Sequence, residues 1–400
     1  MTLDANLTLA AACLALLLGT LMVRKIKFLQ RNHIPEAVAG GFVVALGFLV
    51  VYQLWGISVN FNKPLQDMLL LTFFTSIGLS SDFSRLLKGG KPLVIFILAV
   101  ATLIFVQNVV GMGMALALGQ NPFIGLIAGS ITLSGGHGNG AAWAPVLSEQ
   151  YGVTGALELA MACATLGLVL GGLVGGPVAR HLLKKVKTPS VDAAAEPVQE
   201  QFEQPQIKRS INAANIVETV GMLAVSMALG SYIDGLFKDT VMQMPTFVWC
   251  LFVGVILRNL LTHGLRHEVF EPTIDVLGNV CLSFFLAIAL MSLKLGQLTD
   301  LALPVLLILA VQTVVMVLFA CFVTFRVMGK DYDAVVMSAG HCGFGLGATP
   351  TAIANMQVIT KAYGPSHKAF LVVPMVGAFF VDLANSTLIK VFMVIGSYFA

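Results

Sequence analysis

The chain has 400 residues, 57% of them hydrophobic and only 11% charged. Soluble proteins carry roughly 25% charged residues, so lipid must be the solvent for most of this chain and a water-soluble globular class is excluded. The net charge of +3 is small and dispersed, which gives no footing for nucleic acid as a partner.

Apolar runs long enough to cross a bilayer follow one another along the chain. In the first half they cover 7–23, 37–55, 65–80, 93–118 and 157–179. In the second half they cover 216–233, 245–261, 274–293, 301–328 and 369–389. Asp4 precedes the first run and no basic stretch does, so that run reads as a retained span and not a signal peptide. Residues 181–212 are polar and carry Pro189, Pro197 and Pro205, as expected of a solvated linker between halves 1–180 and 213–400. The six cysteines lie in apolar or Gly-rich stretches without CxxC spacing and read as reduced, buried small residues.

Two further segments, 123–147 and 334–356, are interrupted by glycines and small polar residues. Charge decides whether they cross. If neither does and the N-terminus is outside, every Lys and Arg except Lys63, Lys238, Lys294 and Lys390 falls on the inner side. That asymmetry obeys the positive-inside rule. The expectation is an all-α polytopic membrane protein with ten spans, two re-entrant hairpins and both termini periplasmic or extracellular.

The halves resemble each other in order and spacing. Ile34-Pro35 matches Met244-Pro245, Phe73-Phe74 matches Phe284-Phe285, and Gln107 matches Gln312. Ser134-Gly135-Gly136-His137 matches Ser338-Ala339-Gly340-His341, with Pro145 and Pro350 following. Five spans per copy is an odd number, so the second copy is inverted. Two inverted repeats, each of five spans plus one hairpin, with their breaks meeting near the midplane, form a transporter architecture.

The breaks are where chemistry fits. Non-helical backbone at membrane depth must be buried in protein or line a wet cavity. Helix ends at a break offer N–H groups to an anion and C=O groups to a cation. Substrate-binding candidates are therefore Ser134, Gly135, Gly136, His137, Gly138, Asn139, Gly340, His341, Gly343, Gly345 and Thr349, joined by Asn385 from the last span. His137 and His341 either hydrogen-bond a substrate carboxylate or cap a turn. Asp382 lies inside the last span, sharing a face with Ser386; it either faces a cation pathway or serves helix packing. Sodium candidates are Asp382, Thr132, Asn108 and Gln312; the two amides serve equally well as interhelical glue. Thr165 is similarly open between the two roles. The GxGxG stretches lack the preceding strand a nucleotide loop needs, and no HExxH or GxSxG supports an intramembrane enzyme.

The stretches Ser134–Trp143 and Gly340–Met356 resemble signature segments of the bacterial sodium/glutamate symporter family. Gly364-Pro-Ser-His367, 370–380, Ala160-Met-Ala-Cys-Ala-Thr165 and 175–180 are similar too, and the family's GGxG element is met by Gly135-Gly136-His137-Gly138. The resemblance covers essentially the whole chain apart from the linker. It implies Na⁺-coupled glutamate uptake across the bacterial inner membrane. It further implies a homodimer in which a transport domain slides against a fixed scaffold, an elevator-type mechanism. The alternatives are a sodium-coupled carrier of another carboxylate, aspartate or citrate-like, and a channel.

Overall fold

A computed structural model describes residues 2–31, 33–56, 59–186, 211–238, 240, 243–267, 269–293 and 302–399. The core of the expected linker, 187–210, lies outside the described residues. Among them the regular structure is helical, and eight helices are long and apolar enough to cross a membrane.

In chain order the first helices are α1 (Ala5–Lys25), the short α2 (Lys27–Arg31), α3 (Glu36–Trp55) and α4 (Lys63–Leu79). Then come α5 (Phe83–Ala117), α6 (Pro122–Leu126), α7 (Gly136–Tyr151) and α8 (Ala156–Leu183). Beyond the linker follow α9 (Ala213–Phe237), α10 (Thr246–Asn259), α11 (Glu271–Met291) and α12 (Ala302–Phe319). The last are α13 (Tyr332–Leu346), α14 (Thr349–Tyr363), α15 (His367–Met375) and α16 (Val381–Gly396). π turns extend α6 (Ile127–Ile131), α10 (Leu260–Gly264) and α12 (Ala320–Thr324), and a fourth, Val376–Phe380, joins α15 to α16. The expected third span is the 17-residue α4, and the expected tenth is the broken α15–α16 segment. Neither is among the eight long apolar helices.

Helix starts follow local chemistry. The Asp4 carboxylate accepts from Leu7 N at 2.8 Å, and Asn62 accepts from Leu65 N at 2.9 Å. Pro35 and Pro245 precede α3 and α10 with near-identical backbone angles, φ −60° and −57° with ψ 144° in both, as their matched sequence positions suggest. Large side chains such as Leu14, Leu17, Leu98, Leu173, Val217 and Leu303 are exposed, which in water would be costly and in lipid is not.

The helices pack in two groups. α1, α3 and α4 pack with α9, α10 and α11; α5 to α8 pack with α12 to α16. Small residues allow close crossings within the first group: a Cβ on Gly40 would overlap the Ala15 carbonyl, and one on Gly78 that of Leu251. Contacts between the groups are sparse, and one of them is Trp143 of α7 edge-on to Phe247 of α10, with ring centroids 5.3 Å apart.

The crossing from α4 to α5 is pinned. Arg258 Nη2 lies 3.3 Å from Asp82 Oδ2 and 2.6 Å from Glu271 Oε1, and Asn259 Nδ2 donates to the Ser81 carbonyl at 2.8 Å. Beyond that anchor α5 breaks at Gly90, whose φ of 59° and ψ of −158° favour glycine, just ahead of Pro92.

Candidate functional site

Both interrupted segments reverse direction. In the second, a Cβ on Gly343 would meet the Ala352 backbone and one on Gly340 would meet Met356, while Asn355 Nδ2 donates to the Ala339 carbonyl at 3.3 Å. Those pairings make α13 and α14 antiparallel, with the turn at Gly347–Ala348. In the first, the helix leaving α6 ends at Leu133, and Gly136 adopts φ +65° to start α7. Gly140 then lies against the methyl group of Thr132. Pro350 occupies the first turn of α14, where a missing N–H costs nothing, whereas Pro145 sits inside α7.

The two turns meet: a Cβ on Gly136 would stand 3.4 Å from the Gly347 carbonyl oxygen. They open on a cavity of about 490 Å³ between the helix groups. One wall holds Ser134, Gly135, Gly136, His137, Gly138, Asn139, Thr349 and Asp382 with Phe344, Gly347, Gly377 and Val381. The other wall belongs to the first helix group, through Glu36, Phe73, Leu282, Ser283 and Leu286. α7 and α14 both point their N-termini here, and neither is capped by a side chain at its N-cap residue, Gly135 or Ala348. Two helix ends therefore present free N–H groups to one cavity, an arrangement suited to an anion with two carboxylates.

Behind the turns lies a buried polar network. Asn139 Nδ2 donates to Asp382 Oδ1 at 2.6 Å and to the Gly135 carbonyl at 3.0 Å. Asn385 Nδ2 donates to the Ser130 carbonyl at 3.0 Å, and Ser130 N donates to Asn108 Oδ1 at 3.2 Å. Gln107 receives the Ser134 hydroxyl at Oε1 and gives Nε2 to the Gly345 carbonyl, both at 2.7 Å, while Gln312 Nε2 donates to the Gln107 carbonyl. Ser130 Oγ, Asn139 Oδ1, Gln312 Oε1, Asn385 Oδ1 and Ser386 Oγ are buried without a hydrogen-bond partner among the described residues. An orphaned buried polar atom costs about 1–3 kcal/mol, and oxygens are the atoms a hard cation takes as ligands. The bare atom on Asn108 is instead the donor Nδ2, and Thr132 gives its hydroxyl proton to the Ile127 carbonyl at 2.6 Å.

The remaining candidates sit elsewhere. Gly340, Gly343 and Gly345 serve helix contacts within the second group and do not line the cavity. His341 is wholly buried among Phe96, Phe319 and Phe344, with Nδ1 2.9 Å from the Thr324 hydroxyl. Sequence reasoning missed the wall from the first helix group: Phe73 and Pro35 stood out only as repeat matches, and Glu36 and Ser283 have no motif. It also missed Ser130, whose π turn is the kind of irregularity that collects at functional sites but has no sequence signature.

The chain matches the family described as sodium/glutamate symporter over residues 1–365. It is 58% identical over 387 residues to the sodium/glutamate symporter of Haemophilus influenzae, covering 96% of each chain. It is 54% identical over 393 residues to the proteins of that name from Escherichia coli and Shigella flexneri, covering 98% of each. With a match of that length and identity behind the paired helix ends and the bare oxygens, this chain belongs to the sodium/glutamate symporter family.

Proposed function

We propose that this protein carries glutamate into the cell together with sodium. The observation that carries the reading is the pair of uncapped helix N-termini opening on one cavity, backed by relatives named for this cargo. Glutamate lies between the two turns, beside Asp382 and Asn385, with its carboxylates toward the N–H groups of α7 and α14. Sodium sits against the oxygens of Ser130, Gln312, Asn385 and Ser386, with Asp382 and Thr132 beside them. Each ligand raises the other's affinity because the sodium site orders the same turns that close on glutamate, and such coupling is reciprocal.

In this reading α4 and the α15–α16 segment also cross, giving ten spans in two inverted five-span repeats, and the turns at 123–147 and 334–356 are re-entrant. The sparse packing between the helix groups supports an elevator in which α5–α8 with α12–α16 move past a homodimeric scaffold. The membrane is the bacterial inner membrane, with both termini outside. The test is uptake of radiolabelled glutamate into proteoliposomes. Uphill accumulation with an imposed sodium gradient, and none with potassium or protons alone, is the expected result. Sodium-independent uptake or ohmic current would overturn it, and competition by aspartate or citrate at glutamate's potency would change the cargo.

A further inference from the structure

His137 sits in the first turn of α7, between the N–H groups of Gly136 and Gly138, and lines the cavity. Its Nε2 lies 3.0 Å from the Thr165 hydroxyl oxygen. That hydroxyl lies 2.8 Å from the Met161 carbonyl, one turn back on α8. A hydroxyl has one proton, and a carbonyl only accepts. Thr165 therefore spends its proton on Met161 and turns a lone pair toward the ring, so Nε2 must carry the hydrogen. In the neutral imidazole this leaves Nδ1 bare, an acceptor. Nδ1 has no partner within the described residues and is not among the atoms sealed from the cavity.

At the turns the cavity also presents the free N–H groups of two helix N-termini. They suit carboxylates and repel an ammonium. Its carboxylates are Asp382, whose Oδ1 is held by Asn139, and Glu36 on the opposite helix group, held by Thr20. An amino acid needs an acceptor close to where its α-carboxylate binds, and His137, with Nδ1 bare, belongs to the same helix turn as the N–H groups that would take that carboxylate.

We infer that His137 receives the α-ammonium group of the substrate on Nδ1, with Thr165 as the positioning residue that fixes the ring's tautomer, so that this pair selects an amino acid over the same dicarboxylate without its amine. The inference rests on the proposed glutamate site and names the group in it that reads the amine. A protonated ring would repel the ammonium, so the neutral ring with its bare nitrogen is the binding form.

Two pairs of similarly shaped substitutions test it, by calorimetric glutamate binding to the purified protein in saturating sodium and by competition with glutarate, which lacks the amine. Asn at 137 keeps an oxygen acceptor near the place of Nδ1, and Leu of nearly the same shape does not. His137→Asn is expected to bind glutamate within about threefold of wild type and keep its preference over glutarate. His137→Leu is expected to lose about tenfold or more of both, the size of one hydrogen bond to a charged group. Thr165→Ser keeps the hydroxyl and should keep the preference; Thr165→Val frees the ring to change tautomer and should lower it by about threefold or more. Sodium-dependent thermal stabilisation equal to wild type certifies that each variant is folded. Equal glutamate binding by the Asn and Leu variants, or a preference over glutarate unchanged in both His137→Leu and Thr165→Val, overturns the inference alone. A wild type that takes up no glutamate removes the cargo, and this inference with it.

Discussion

The two interrupted segments carry a matched motif, Ser-Gly-Gly-His at 134–137 and Ser-Ala-Gly-His at 338–341, yet they use it differently. In the first, the motif is the turn: Gly136 takes a left-handed φ, and His137 enters the cavity. In the second, the helix runs on through the motif, and the turn comes at Gly347, where Pro350 starts the next helix. His341 is left inside α13, boxed by three phenylalanine rings, and Gly340 and Gly343 become contact points for α14 and its neighbours. A helix stops where its backbone angles or a following proline stop it, and a shared sequence motif does not by itself fix that place. Like residues thus line a cavity in one segment and hold helices together in the other.

The sharpest way to break this contrast is Gly343→Val. Its new side chain would reach the Ala352 backbone, only 2.5 Å from the added Cβ, and no flexible group can yield. Overpacking of this kind costs roughly 1–3 kcal/mol or more, so folded yield by size exclusion and the thermal midpoint should fall most in this variant. A fully stable Gly343→Val protein would mean the two helices are not packed as described.

Next in size is Asp382→Asn, which keeps the shape and removes the charge beside Asn139. The half-saturating sodium concentration should rise by about tenfold or more while membrane insertion stays normal. Unchanged sodium-driven uptake would remove Asp382 from the ion site.

Gly136→Ala comes third. Space is adequate, since the nearest atom to the new Cβ is 3.4 Å away, but φ is +65°. The left-handed conformation costs a non-glycine residue about 1–2 kcal/mol, which here should appear as weaker glutamate binding with a smaller fall in midpoint than Gly343→Val. The smallest effect on function belongs to His341→Asn. Its thermal midpoint should drop by the equivalent of about 1 kcal/mol as the Thr324 bond and ring packing weaken, with glutamate affinity within about twofold of wild type. A large loss of affinity there would put His341 back in the site.

Much of the site was legible from residue types alone. Gly135-Gly136 marked a break because glycine tolerates a positive φ, the glycines of 340–347 marked another, and Asp382 stood out as a carboxylate in an apolar run. The half of the cavity supplied by α3, α4 and α11 was not legible. Glu36, Leu282 and Ser283 are unremarkable in sequence and matter only because of what they face. The bare oxygens of Ser130 and Ser386 were also hidden, since whether a serine finds a partner depends on neighbours distant in the chain.

The sequence by itself determined that this chain is predominantly apolar, that its apolar runs are long enough to cross a membrane, and that two of its segments are interrupted by glycine. These follow from solvent preference and backbone stereochemistry, which each residue carries with it. Only the tertiary structure decided that the two breaks touch, that one histidine faces a cavity while its counterpart is sealed among aromatic rings, and that Thr165 lies beside the first of them. Contacts between residues far apart in the chain belong to packing, and no residue holds that information alone.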